Sequence, residues 1–252
     1  MRRFLARFFL VLGIASLAVC PVLSAVPVAS RTRFFHTSAG TVSITPLYHG
    51  SMRIEAGNKI IYLDPARPFE FKTAPKADLI LITANDKEHL DKSVVTTLSQ
   101  SGTEMISPLD VAKTFRTVWP ISYGENKTWH GWTIEAVPNY NLKMFHPLAE
   151  FGYEKGLHRK GSANGYVLTY GDMRFYFSGD SDDVPEIWTL KNIDVAFVRM
   201  SFPHSNEATG AAWGALVFRP KIVVPYEYRE SELGDFKKQL DRTAVEVHEL
   251  EK

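Results

Sequence analysis

The sequence predicts an α/β protein built as a four-layer αββα sandwich, and three observations predict it. The chain of 252 residues falls into two halves, and each half runs through short strands before it reaches helices. Glycine-led pairs, Gly57-Asn58 and Gly171-Asp172, stand between strand patterns in both halves and read as hairpin turns. Apolar runs, Leu79-Ile-Leu-Ile82 in the first half and Ile193 to Met200 in the second, read as buried strands. Two such halves imply two mixed sheets packed face to face with helices outside.

In order along the chain, Thr41 to Leu47 alternates as a strand does. Met52 to Ala56 and Lys59 to Asp64 flank the first hairpin pair, and Pro65 to Pro75 reads as a loop. Asp78 to Thr83 is a buried strand that ends in a polar loop. Asp91 then caps a helix from Lys92 to Gln100, because its carboxylate accepts from the unpaired N–H groups of the first turn. Glu104 to Ile106 is a short strand. Pro108 opens a second helix to Phe115, at a position where its missing N–H costs nothing. Thr128 to Val137 is a strand interrupted by a His130-Gly131 turn.

In the second half, Gly165 to Tyr170 and Arg174 to Ser178 form a hairpin, and Val184 to Leu190 reads as a helix before the Ile193 strand. Ser205 or Asn206 caps a small-residue helix that Pro220 stops after Phe218. Lys221 to Pro225 is another buried strand, and Ala244 to Leu250 a last one.

The N-terminus reads differently. Arg2, Arg3 and Arg7 precede an apolar stretch from Phe8 to Val19, which has signal-peptide length and is short for a membrane span. Residues 1–25 are therefore expected to be a signal peptide cut after Ala25, with Val28 to Ser30 as a second cleavage option. Leu17 to Cys20 resembles a lipidation box, although Val19 is bulky for that processing. Residues 26–40 read as a linker and 41–252 as one domain. The expected location is exported, periplasmic or secreted, with membrane contact only through an uncleaved or lipidated N-terminus. Losing Arg2, Arg3 and Arg7 takes the net charge from +1 to −2, which gives no electrostatic case for nucleic-acid binding. The single Cys, Cys20, lies in the leader, so the mature domain has neither a disulfide nor a thiolate nucleophile. There is no Gly-x-Ser-x-Gly elbow, Walker loop or dinucleotide-binding glycine motif.

Several landmarks follow one another in a recognisable order: His49 in Leu47-Tyr-His-Gly-Ser, Asp64-Pro65 after a strand, and Ile82-Thr-Ala-Asn-Asp-Lys-Glu-His-Leu-Asp91. After them come Pro138-Asn-Tyr-Asn141, Ser178-Gly-Asp180 and Val224-Pro-Tyr-Glu-Tyr228. Their joint order from Thr41 to Tyr228 resembles the metallo-β-lactamase fold, nearest to the small L-ascorbate-6-phosphate-lactonase-like hydrolases.

That resemblance implies metal ligands after the buried strand, where the family carries Thr-His-x-His-x-Asp-His. The four ligand positions here read Ala84, Asp86, Glu88 and His89. By position, Asp180 matches the family's bridging Asp, Glu227 stands where its last His is expected, and Asn139 lies near the third His of the first site. The resemblance thus implies loss of the first metal site and a remnant of the second. Its metal ligands would be Glu88, His89, Asp180 and Glu227, with Asp86 and His49 as catalytic or substrate-contacting groups.

A site of one imidazole and several carboxylates is hard, and it favours Mn²⁺, Mg²⁺, Ca²⁺ or Fe²⁺ over Zn²⁺. Like-charged carboxylates at about 4 Å repel by roughly 4 kcal/mol at an effective dielectric of 20, so a proton, a cation or an internal base must intervene. His146, His158 and His204 are loop histidines able to supply a missing nitrogen. Two expectations follow. One is an exported hydrolase with a single divalent ion (Mn, Fe, Mg or Zn) acting on a small molecule. The other is a catalytically silent relative, an exported binding or scaffold protein without metal.

Overall fold

The computed structural model describes residues 31–66, 71–115, 117–142, 158–200, 208–226 and 230–250. Among these, the strands form two seven-stranded sheets, each laid out in chain order across its width. The first holds β1 (Arg33–Thr37), β2 (Gly40–Tyr48), β3 (Ser51–Ala56), β4 (Lys59–Leu63), β5 (Leu79–Leu81), β6 (Glu104–Ser107) and β7 (Trp119–Pro120). The second holds β8 (Asn126–Trp129), β9 (Trp132–Asn139), β10 (Ala163–Tyr170), β11 (Met173–Phe177), β12 (Val195–Arg199), β13 (Ile222–Tyr226) and β14 (Glu246–Val247).

Each sheet begins as an antiparallel meander and ends as a parallel half. Pairing is antiparallel from β1 to β4 and parallel from β4 to β7. The second sheet repeats this from β8 to β11 and from β11 to β14. The tight turns come from the residues that the hairpin pairs supply: Gly57 and Asn58 both sit at positive φ, +57° and +58°.

The alternation of the strands then decides the layers. Ile44, Ile54, Ile61 and Leu63 of the first sheet meet Ile134, Leu168, Phe175 and Phe197 of the second in one core between the sheets. There Phe177 and Phe197 stack at 4.8 Å with their planes 6° apart. The opposite faces are covered by helices. Tyr62, Ile80 and Ile82 pack on α1 (Lys92–Leu98), through Val94, Val95 and Leu98. Tyr176, Ala196 and Val223 pack on α3 (Ala208–Phe218) and α4 (Glu230–Leu240). A one-turn helix, α2 (Leu109–Ala112), adds Val111 to the first helical layer. The αββα sandwich expected from the sequence is the observed fold.

Several elements differ in detail from the expectation: α2 stops at Ala112 and not Phe115, β14 covers only Glu246–Val247 of Ala244 to Leu250, and β7 is an added strand. Strand β1 lies in the stretch read as linker, and pairs along its whole length with β2. The charged segment after Glu230 is helix α4, whose Leu233, Phe236 and Leu240 turn inward. Pro185–Thr189 winds as a 3₁₀ turn, a form typical of so short a segment. Residues 1–25, with the expected leader, and Ser205 and Asn206, with the expected cap, lie outside the described residues. Among the described residues no helix is long and apolar enough to cross a membrane.

Candidate metal centre

The site is assembled where parallel strands end. The sheet leaves backbone groups unpaired beyond its carboxyl edge, and loops there can carry polar side chains without breaking the core. Three loops meet at this edge: residues 83–91 after β5, residues 178–182 after β11, and the segment around His158 that returns toward β10. Hydrogen bonds from β10 hold the end of β5 and the start of the first loop in place. Asn164 N donates to Thr83 O at 2.9 Å, and the Tyr166 hydroxyl donates to Ile82 O at 2.7 Å.

In the first loop Asp86 folds the chain on itself, its Oδ1 accepting from Glu88 N at 2.8 Å and His89 N at 3.2 Å. The same carboxylate meets the His89 ring, with Nδ1 at 3.0 Å from Oδ1 and 3.1 Å from Oδ2. On the other side, His89 Nε2 lies 2.9 Å from Asp180 Oδ1. His89 thus lies between two carboxylates, an arrangement that favours the imidazolium over the neutral ring. Burial opposes that charge, but the Asp180 and Asp64 carboxylates outweigh it and hold His89 well above the usual imidazole range.

Asp180 is the hub. Gly179, at φ +56°, lets the chain turn sharply into it, and a Cβ there would come within 2.4 Å of Asn139 Nδ2. Besides His89, Asp180 faces Arg199, whose Nη1 lies 2.7 Å from the same Oδ1. Burial disfavours the Asp180 carboxylate, yet His89 and Arg199 outweigh it and hold its carboxyl well below the usual range. His158 Nε2 approaches both acids, at 3.4 Å from Asp86 Oδ2 and 3.7 Å from Asp180 Oδ2. Asn141 positions that histidine: its Oδ1 accepts from His158 N at 2.8 Å, and its Nδ2 donates to Asp180 O at 2.8 Å.

Behind His89 lies Asp64, fully enclosed. Its oxygens accept from Thr83 N at 2.7 Å and Thr83 Oγ1 at 2.6 Å. Burial dominates over these bonds and over the His89 charge, and pushes Asp64 up to about 7.

Asp86, His89, His158 and Asp180 each offer one ligand atom, and these atoms all lie within 4.8 Å of one another. Two of the buried atoms facing the shared space, Asp180 Oδ1 and His158 Nε2, make no hydrogen bond of good geometry despite their close partners. Two imidazole nitrogens and two carboxylates suit a divalent cation of intermediate hardness. The set therefore fits a metal ion, which would take the place of a proton on His89.

Among the residues singled out from sequence, the structure brings together His89, Asp180 and Asp86, and with them His158, one of the loop histidines named as a source of nitrogen. Glu88 stands outside this group: its carboxylate is half exposed and lies 3.8 Å from Arg199 Nη2. Ala84 is fully buried and offers no donor. Asn139 is buried at the end of β9, with Nδ2 donating to Asn164 O. His49 is exposed at the β2–β3 turn, at φ +47°, with its ring edge-on to Tyr48. Glu227, His146 and His204 lie outside the described residues.

Sequence reasoning gave Arg199 no role, and treated Asp64 only as a landmark. A signal for Arg199 existed, because a lone Arg in a buried apolar strand must find a partner.

Comparison with known proteins agrees with this architecture. The model of the β-lactamase superfamily domain matches residues 43–227. A metal-dependent hydrolase from Nanoarchaeum equitans is 24% identical over 212 residues, spanning 81% of this chain and 94% of the relative. The solved structure of a proposed metal-dependent hydrolase from Parabacteroides distasonis is 32% identical with a TM-score of 0.78, covering 87% of this chain and 97% of that one. CmlA, a diiron β-hydroxylase from Streptomyces venezuelae, shares the fold at 14% identity and a TM-score of 0.64, over 83% of this chain and 53% of its own. By the family match over most of its length and by its paired sheets, this chain belongs to the metallo-β-lactamase superfamily.

Proposed function

We propose that the protein is an exported metal-dependent hydrolase that works with one divalent ion held by Asp86, His89, His158 and Asp180. The observation that carries this is their convergence, two imidazoles and two carboxylates from three loops, with all ligand atoms within 4.8 Å. The relatives named as metal-dependent hydrolases support the same reading. A divalent ion there supplies Lewis acidity, toward water and toward a carbonyl or phosphoryl oxygen of the substrate.

The chain's own residues supply the rest. Asn141 fixes His158 and Arg199 fixes Asp180, while Asp86, 34% exposed, is the ligand that reaches solvent most. The substrate is a small molecule whose class the fold does not select, as the hydroxylase on the same scaffold illustrates. Residues 1–25 serve as the export leader in this reading, and N-terminal sequencing of exported protein should begin at Val26.

One observation favours a second reading. His89 and Arg199 already lie against Asp86 and Asp180 and offset much of their charge without an ion. A catalytically silent binding or scaffold protein would have this property. The two readings separate in one assay. Protein purified without chelator and supplied with Mn²⁺ is given ester, lactone and phosphodiester substrates beside its Asp180→Ala variant. Turnover of any substrate that the variant loses supports the hydrolase. Equal rates for both proteins on every substrate contradict it.

A further inference from the structure

We infer that the Arg199 guanidinium stands in the place of a second cation, so that the site holds one divalent ion and no more. The inference rests on the metal-centre reading above and deepens it. Three observations lead to it.

First, Arg199 is the last residue of β12, and its side chain is only 4% exposed. Its backbone N donates to Ser178 Oγ at 3.1 Å, and β12 is paired on both sides, by β11 and β13. The guanidinium is therefore held in position, and it carries its charge at every working pH.

Second, it gathers two carboxylates as a cation would. Nη1 lies 2.7 Å from Asp180 Oδ1, and Nη2 lies 3.8 Å from Glu88 Oε2. Glu88, which stands apart from the four converging side chains, has Arg199 as its ion-pair partner among the described residues.

Third, the two oxygens of Asp180 are divided. Oδ1 faces Arg199 and His89, while Oδ2 faces His158 at 3.7 Å. His89 shares Oδ1 with Arg199, so an ion held by His89, His158 and Asp86 would take Oδ2 and leave Oδ1 to the guanidinium. A second ion sharing Asp180 would sit against the fixed positive charge, and the neighbouring position that could have held it, Ala84, is buried without a donor atom.

The test is stoichiometry. Metal-free full-length protein is titrated with Mn²⁺ by calorimetry, and the saturated sample is read by electron paramagnetic resonance. Wild type should bind one equivalent and give the spectrum of an isolated ion. Arg199→Met should bind two equivalents and give an exchange-coupled spectrum, Arg199→Met with Glu88→Gln should return to one, and Arg199→Lys should remain at one. Two coupled ions in wild type overturn the inference while leaving the metal centre standing, and this readout needs no variant to fold. A single equivalent of unchanged affinity in folded Arg199→Met also overturns it. No binding by wild type removes the metal centre itself, and the inference with it.

Discussion

Replacing Asp180 with Asn should be among the most damaging polar substitutions in the domain, and Arg199→Met should partly rescue it. The carboxylate lies 2.7 Å from Arg199 Nη1, with both side chains at least nine-tenths enclosed. At an effective dielectric of 20 that separation corresponds to an attraction of about 6 kcal/mol, much of it offset by the loss of hydration. Removing one partner leaves the other charge buried and unbalanced, which typically costs about 3–5 kcal/mol. Domains of this kind are stable by about 5–15 kcal/mol in all, so the single variant should still fold but unfold at much lower urea.

Arg199→Met alone should cost less, since His89 still faces Asp180. The double variant exchanges the pair for a neutral one of similar volume. It should be more stable than the sum of the single losses by about 2–3 kcal/mol. The assay is urea unfolding of chelator-treated protein, followed by tryptophan fluorescence at one pH, with unchanged m-values as the check on comparability. Losses that add to within about 0.5 kcal/mol would show that the two side chains do not interact, and would refute the account of Asp180 as the hub.

Four further outcomes are expected. Asp64, raised from 3.8 to about 7, binds a proton in the folded state that the unfolded chain has released. Stability of metal-free wild type should therefore fall as pH rises from 4 to about 7, by as much as about 4 kcal/mol, and Asp64→Asn should flatten that part of the urea-stability profile. Gly179→Ala must hold an Ala at φ +56° with its Cβ against Asn139, so it should lose at least about 1–2 kcal/mol and several degrees of Tm in a calorimetric scan. Asn141→Ala releases His158 without removing a ligand and should weaken Mn²⁺ binding about 10–100-fold by titration, whereas Glu88→Gln should leave the wild-type stoichiometry at one.

Much of the architecture was legible because local rules and global packing agree. Asp91 caps α1 through Ser93 N at 2.8 Å and Val94 N at 3.3 Å, as a carboxylate ahead of a helix should. The runs that became β5, β12 and β13 are buried along nearly their whole length, and their apolar character announced it. Strand β1 was hidden because only Phe35 of Arg33-Phe-Phe-His-Thr37 turns inward, and its neighbours are polar enough to read as linker. Helix α4 carries an inward stripe of Leu233, Phe236 and Leu240, a signal that its many charges masked.

The site divides along the same line. Asp180 follows the end of β11 closely and His89 lies in the connection between β5 and α1, where position along the chain narrows position in space. His158 is far in sequence from the other three, so spacing says nothing about its approach, and Asn141 holds it beside them. Arg199 reads as the end of an apolar strand, and its partner across the sheet edge is invisible until the strands are paired.

The most direct measurement is an anomalous difference map from crystals of the chelator-free protein soaked in Mn²⁺. The account predicts one strong peak enclosed by the side chains of Asp86, His89, His158 and Asp180, with Arg199 still against Asp180. A saturated crystal with no peak among those four, or with its only ion elsewhere, would contradict it.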